Sequence, residues 1–86
     1  MNAITPTVTL YGKPGCCLCD EAREELDRLG RKVPFDLEEV DVSLDPALHR
    51  EYGERMPVIA VDGEEVVELR IDAAARERLL ARVAGS

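Results

Sequence analysis

The chain is 86 residues long, 45% apolar and 34% charged, with a formal charge of −7 and no tryptophan. A chain of this size and balance is one small globular domain, residues 1–86, with a core built from aliphatic side chains. Its acidity excludes an electrostatic nucleic-acid binder, which needs a basic face, and an anionic membrane surface as partner.

Met1-Asn2-Ala3-Ile4-Thr5-Pro6 lacks the charged segment and long apolar run of a signal peptide. No apolar run approaches the roughly 20 residues that cross a bilayer. A cytoplasmic protein is expected. Thr7-Val8-Thr9-Leu10-Tyr11 is β-branched and aromatic and predicts a first strand, followed by the turn cluster Gly12-Lys13-Pro14-Gly15. From Cys16 the apolar period changes. Leu18, Cys19, Ala22, Leu26 and Leu29 mark one face of a helix, and Gly30 is its predicted stop.

Phe35 to Val42 predicts a second strand whose alternation shifts between Leu37 and Val40, through a bulge or at the strand end. Asp45-Pro46 predicts a helix start, with Leu48 and Tyr52 as its buried face and Gly53 as its end. Met56-Pro57-Val58-Ile59-Ala60-Val61 is a short apolar run that predicts a strand buried on both faces. Asp62-Gly63 is a hairpin signal. Glu64 to Ile71 places Val67, Leu69 and Ile71 inward, with Val66 as the exception. Asp72 predicts the cap of a last helix, Ala73 to Val83, with Leu79, Leu80 and Val83 on one face, before a frayed end at Ala84-Gly85-Ser86. The predicted order is β-α-β-α-β-β-α, a four-stranded mixed α/β sheet flanked by three helices, with the first two strands parallel.

All three cysteines fall in Cys16-Cys17-Leu18-Cys19, at the junction of strand and helix. A Cys-x-x-Cys pair at that place in a cytosolic chain points to thiol–disulfide chemistry. The bland alternative is two inert core cysteines. A helix N-terminus offers unpaired N–H groups and positive potential, which stabilise a thiolate. Cys16 sits there near Lys13, so its pKa is expected to lie a unit or more below the free value of about 8.5. Cys19, three residues on, is within reach and shielded by the helix core. Cys17 should face outward as a candidate accessory thiol.

The run Leu10-Tyr11-Gly12-Lys13-Pro14-Gly15-Cys16-Cys17-Leu18-Cys19-Asp20, with a proline opening the third strand, resembles the glutaredoxin family of the thioredoxin fold. More narrowly, Leu18-Cys19-Asp20-Glu21-Ala22, Arg55-Met56-Pro57-Val58 and Val61-Asp62-Gly63 resemble the small bacterial glutaredoxin-like proteins. The resemblance implies that Cys16 attacks, that Cys19 resolves, and that Met56-Pro57 is a cis bond beside them. It also implies that the backbone at Met56 receives the substrate and that Lys13 contacts a carboxylate of glutathione. Tyr11 is a further candidate for the site lining. Three segments depart from glutaredoxins. Cys17-Leu18 replaces a proline-aromatic pair, Met56 replaces valine, and Asp62-Gly63-Glu64-Glu65 stands for a Gly-Gly-x-Asp segment that holds one end of glutathione.

The expected function is a dithiol oxidoreductase acting on a disulfide-containing protein or small molecule. It would bind no cofactor or metal and act as a monomer. Its reductant would be glutathione, another low-molecular-weight thiol or a thioredoxin-reductase-type donor. The alternative is a carrier of a metal or iron–sulfur cluster held by the three cysteines, which alone fall short of a four-ligand structural zinc site.

Overall fold

A computed structural model describes residues 5–84. The elements are β1 (Thr7–Gly12), α1 (Cys17–Lys32), β2 (Asp36–Asp41), a 3-10 turn (Val42–Leu44), α2 (Pro46–Tyr52), β3 (Val58–Val61), β4 (Glu64–Glu68) and α3 (Ala73–Ala84). The strands lie in the order β2-β1-β3-β4, with β1 parallel to β2 and the other neighbours antiparallel. This is the expected mixed sheet with three helices. The frayed end expected at Gly85 and Ser86 lies outside the described residues.

Alternation along the two central strands sorts side chains to the two faces. Val8, Leu10, Ile59 and Val61 join Val67 of β4 in one core with Ala22, Leu26 and Leu29 of α1 and Ala75, Leu79 and Val83 of α3. On the other face Tyr11 meets Tyr52 of α2. A smaller cluster of Cys19, Val42 and Met56, with Tyr11, Cys16, Leu48 and Tyr52 packed against it, sits at the end of the sheet where β1 finishes. All four residues of β3 are buried, as its apolar run requires.

Local chemistry starts the helices where the sequence places them. The Asp45 carboxylate accepts from the Ala47 N–H at 2.9 Å, with Pro46 in the first turn of α2. The Asp72 carboxylate accepts from the Ala75 N–H at 2.8 Å. Asp62 and Gly63 both have positive φ, 51° and 87°, the conformation of a tight two-residue hairpin turn.

Four expectations need correction, and one open alternative is decided. Gly30 does not stop α1, which runs on to Lys32; Val33 is extended (φ −135°, ψ 124°) because it precedes Pro34. The broken alternation of the second strand is its end and not a bulge. The β1–β2 register is continuous from Thr7↔Asp36 to Gly12↔Asp41, and Val42 is fully buried in the turn that follows. β2 is an edge strand, so its Leu37 stays 39% exposed. The face of α2 bearing Leu48 and Tyr52 is half-buried and not fully buried. β4 ends at Glu68 instead of Ile71. A register shift leaves Val66 as the extra residue of a bulge, Leu69 turns outward with φ +71°, and Ile71 packs on the core only after that turn. Leu80 is 39% exposed; Ala75, Leu79 and Val83 form the buried face of α3.

These placements predict unequal costs. Leu26→Ala removes a side chain that is 1% exposed and should destabilise the protein by about 2–5 kcal/mol. Leu80→Ala, at the surface, should cost less than about 1 kcal/mol. Urea titration of both variants checks the assignment, and equal losses would contradict it.

Candidate active site

The site is made where β1 hands over to α1. β1 ends at Gly12, where a Cβ would come within 2.8 Å of the Cys19 sulfur. Only glycine lets the strand end lie this close to the first turn of the helix. Gly15 then takes φ +81°, reversing the chain before the cysteines. Cys16 is extended (φ −93°, ψ 115°) and is the N-cap residue, with α1 beginning at Cys17. Its sulfur accepts a hydrogen bond from the Cys19 N–H at 3.3 Å, and its carbonyl accepts from the Asp20 N–H at 3.0 Å. A sulfur thus fills the role that serine, threonine, aspartate or asparagine usually fills at a helix start.

The three cysteines are free thiols in three settings: Cys16 half-buried, Cys17 exposed and Cys19 buried. Burial raises the pKa of Cys16, but this is outweighed by the Cys19 side-chain hydrogen bond, the Cys19 and Leu18 N–H groups and the Lys13 charge. The net shift is downward, as expected from the helix start. For Cys19, burial is the largest effect, and the hydrogen bond and charge of Cys16 add to it. The Lys13 N–H and the Arg23 charge oppose it, and the thiol is pushed up to about 11. The two sulfurs of one Cys-x-x-Cys pair therefore differ sharply in acidity.

The Met56-Pro57 peptide bond is cis. Met56 is 8% exposed and shares the small cluster with Cys19, against which Tyr11 and Cys16 also pack. The Leu69 N–H points at the carbonyls on both sides of Met56, Arg55 at 3.2 Å and Pro57 at 2.8 Å. Tyr11 stacks on Tyr52 with ring centroids 4.2 Å apart. The structure thus brings Tyr11, Cys16, Cys19, Met56 and Pro57 to one end of the sheet. Lys13 acts on Cys16 through its charge, and Cys17 lies outside the cluster.

Sequence reasoning missed Arg55 as a site residue. Its guanidinium lies 5.3 Å over the Tyr52 ring and bonds Glu65 at 2.8 Å, Glu68 at 3.1 Å and Glu51 at 3.2 Å. It clasps α2 and β4 immediately before Met56-Pro57. Its local signals are its place directly before Met56-Pro57 and Glu51, four residues earlier in the last turn of α2.

Asp62 bonds Thr7 at the start of β1, so the Asp62-Gly63 turn lies at the opposite end of the sheet from Cys16. The segment that faces the first turns of α1 is Leu69-Arg70-Ile71, across a hollow of about 170 Å³ from Leu18 and Glu21. Among the described residues no group of three or more His, Cys, Asp or Glu side chains is placed to hold a metal ion. No helix among them is long and apolar enough to cross a membrane.

A family model described as Glutaredoxin-like domain (DUF836) matches residues 7–83. An uncharacterized protein of Mycobacterium tuberculosis is 34% identical over 94% of the chain and 86% of its own length. The solution structure of a protein from Nitrosomonas europaea superposes with a TM-score of 0.78 at 27% identity, covering 93% of this chain and 96% of that one. A thioredoxin from Halobacterium salinarum superposes with a TM-score of 0.63 at 23% identity, covering 92% and 74%; this likeness establishes the thioredoxin fold.

Because alkylation follows the thiolate, the pH profile reports both sulfurs. In a Cys17→Ser background the midpoint for Cys16 should lie below the free value of about 8.5, and Cys19 should resist modification until the pH approaches about 11. Mass-resolved iodoacetamide labelling checks this; a Cys16 midpoint at or above the free value would contradict it.

Proposed function

Since the chain belongs to the glutaredoxin-like domain family, we propose that it is a thiol–disulfide oxidoreductase using Cys16 and Cys19 as a dithiol. The observation that carries this reading is the asymmetry of the pair. Cys16 is a half-exposed sulfur at a helix N-terminus, accepting the Cys19 N–H at 3.3 Å, and Cys19 is 1% exposed directly behind it.

The Cys16 thiolate attacks one sulfur of a substrate disulfide. The substrate S–S bond breaks, and its departing thiolate takes the electron pair and a proton. Cys16 is left in a mixed disulfide. Cys19 then attacks the Cys16 sulfur, forming the Cys16–Cys19 bond and releasing the second substrate thiol. The substrate is reduced by two electrons and the protein is oxidised by two. The lowered pKa of Cys16 raises its thiolate fraction and makes it the better leaving group when the protein is reduced again.

The substrate backbone is proposed to lie along Met56, next to the cis bond, as an added extended segment. Lys13 would accompany an anionic group of the partner. Proposed substrates are disulfides of proteins or small molecules. The proposed electron donor is glutathione, another low-molecular-weight thiol or a thioredoxin-reductase-type system. Presenting the oxidised protein with each donor in turn identifies which reduces it.

Cys16→Ser should abolish reduction of a small disulfide by at least about a hundredfold. Cys19→Ser should still attack but accumulate the mixed disulfide, visible by mass spectrometry as the chain plus one substrate half. Unchanged turnover in Cys16→Ser would overturn the proposal.

A further inference from the structure

On the β2 side of the thiol pair, away from Met56-Pro57, a cavity of about 370 Å³ opens between the end of β1, the first turns of α1 and β2. Gly12, Lys13 and Cys19 line it, together with Asp20, Arg23 and Glu39. Cys16, the attacking sulfur, is not among its lining residues. The cavity therefore reaches the second thiol from the side away from Met56-Pro57.

Arg23 spans this opening. Its Nη1 bonds the Asp20 carboxylate at 2.8 Å within α1, and its Nε bonds Glu39 of β2 at 2.8 Å. Two anchors on two elements fix the guanidinium beside the cavity. Both carboxylates are turned toward it, which limits their repulsion of a charge on Cys19. Asp41, on the same wall, is engaged with the Ser43 N–H at 2.9 Å. On the other side the titratable groups are Tyr11 of β1 and Tyr52 of α2, packed with Cys19 in one cluster.

The second step needs Cys19 as a thiolate. In the mixed disulfide the Cys16 sulfur is bonded and uncharged, so its repulsion of a Cys19 thiolate is gone. What then remains beside Cys19 is its burial, the Lys13 N–H and the Arg23 field, the latter two favouring the anion. We propose that Arg23, pinned by Asp20 and Glu39 at the mouth of this cavity, is the positioning residue for resolution. It favours the Cys19 thiolate while the proton leaves through the cavity to solvent. The Cys19 thiolate then attacks Cys16, the Cys16–Cys19 bond forms, the Cys16–substrate bond breaks, and the substrate thiolate carries away the electron pair. This inference rests on the dithiol reading above.

The test uses the full chain, reduced, in a Cys17→Ser background, mixed rapidly with an aromatic disulfide whose released thiolate is coloured. The first release reports attack by Cys16 and the second reports resolution by Cys19. Arg23 is 44% exposed, so its field is partly screened, and Arg23→Met should slow the second release by about threefold to tenfold at neutral pH. The pH profile of that release should move upward and the first release should keep its rate. Arg23→Lys should recover most of the loss, and Glu39→Gln, which removes one anchor, should fall between. An unchanged second release in Arg23→Met overturns the inference alone. So does equal slowing of both releases without rescue by Arg23→Lys. Absence of any second release with Arg23 intact overturns the dithiol reading and this inference with it.

Discussion

The hydrogen bond from the Cys19 N–H to the Cys16 sulfur is the contact on which the site depends. A neutral thiol is a weak acceptor, and a thiolate is a much stronger one. The same bond therefore begins α1 and favours ionisation of the residue that begins it. The positive end of the helix acts in the same direction. Helix initiation and sulfur acidity become one property, because the residue placed at the cap is a cysteine and not a serine or aspartate.

That bond would be of little use without a fixed platform beneath it. β1 is a central strand, paired along its length with β2 and β3, so its end is held from both sides. Gly12 brings this end against Cys19 without a side chain between. The close approach removes Cys19 from water and raises its pKa, while Cys16, one helical turn earlier, remains half in solvent. Two chemically identical residues acquire different acidities through three residues of separation and one missing methyl group.

Much of this was legible in the chain because it is local. The cysteine spacing, the Asp45-Pro46 and Asp72 caps and the Asp62-Gly63 turn each act within four residues. What escaped depends on partners distant in sequence. Leu69 reads as a core residue until the bulge at Val66 moves the register. Gly30 reads as a stop because glycine commonly is one, whereas the proline four residues later sets the helix end. By its order in the chain the Asp62-Gly63-Glu64-Glu65 segment reads as a reduced form of the glutathione-holding segment. Its pairing with Thr7 puts it at the wrong end of the sheet. Arg23 and Arg55 look like solvated surface in the sequence, and only the carboxylates brought to them by β2 and β4 give them a place beside the site.

The acidity of the chain has a second meaning once the strand order is known. The two margins of the sheet are β2 and β4. β2 carries Asp36, Glu38, Glu39 and Asp41, and β4 carries Glu64, Glu65 and Glu68. An open strand margin is a template on which a further chain can pair, and like charges along it oppose that pairing. On β4 the glutamates are ion-paired with Arg55 and Arg82, so the repulsion rests on β2, where two molecules meeting margin to margin would oppose Asp36 and Glu38 before any backbone bond could form. The composition thus guards the sheet against endless extension into fibres.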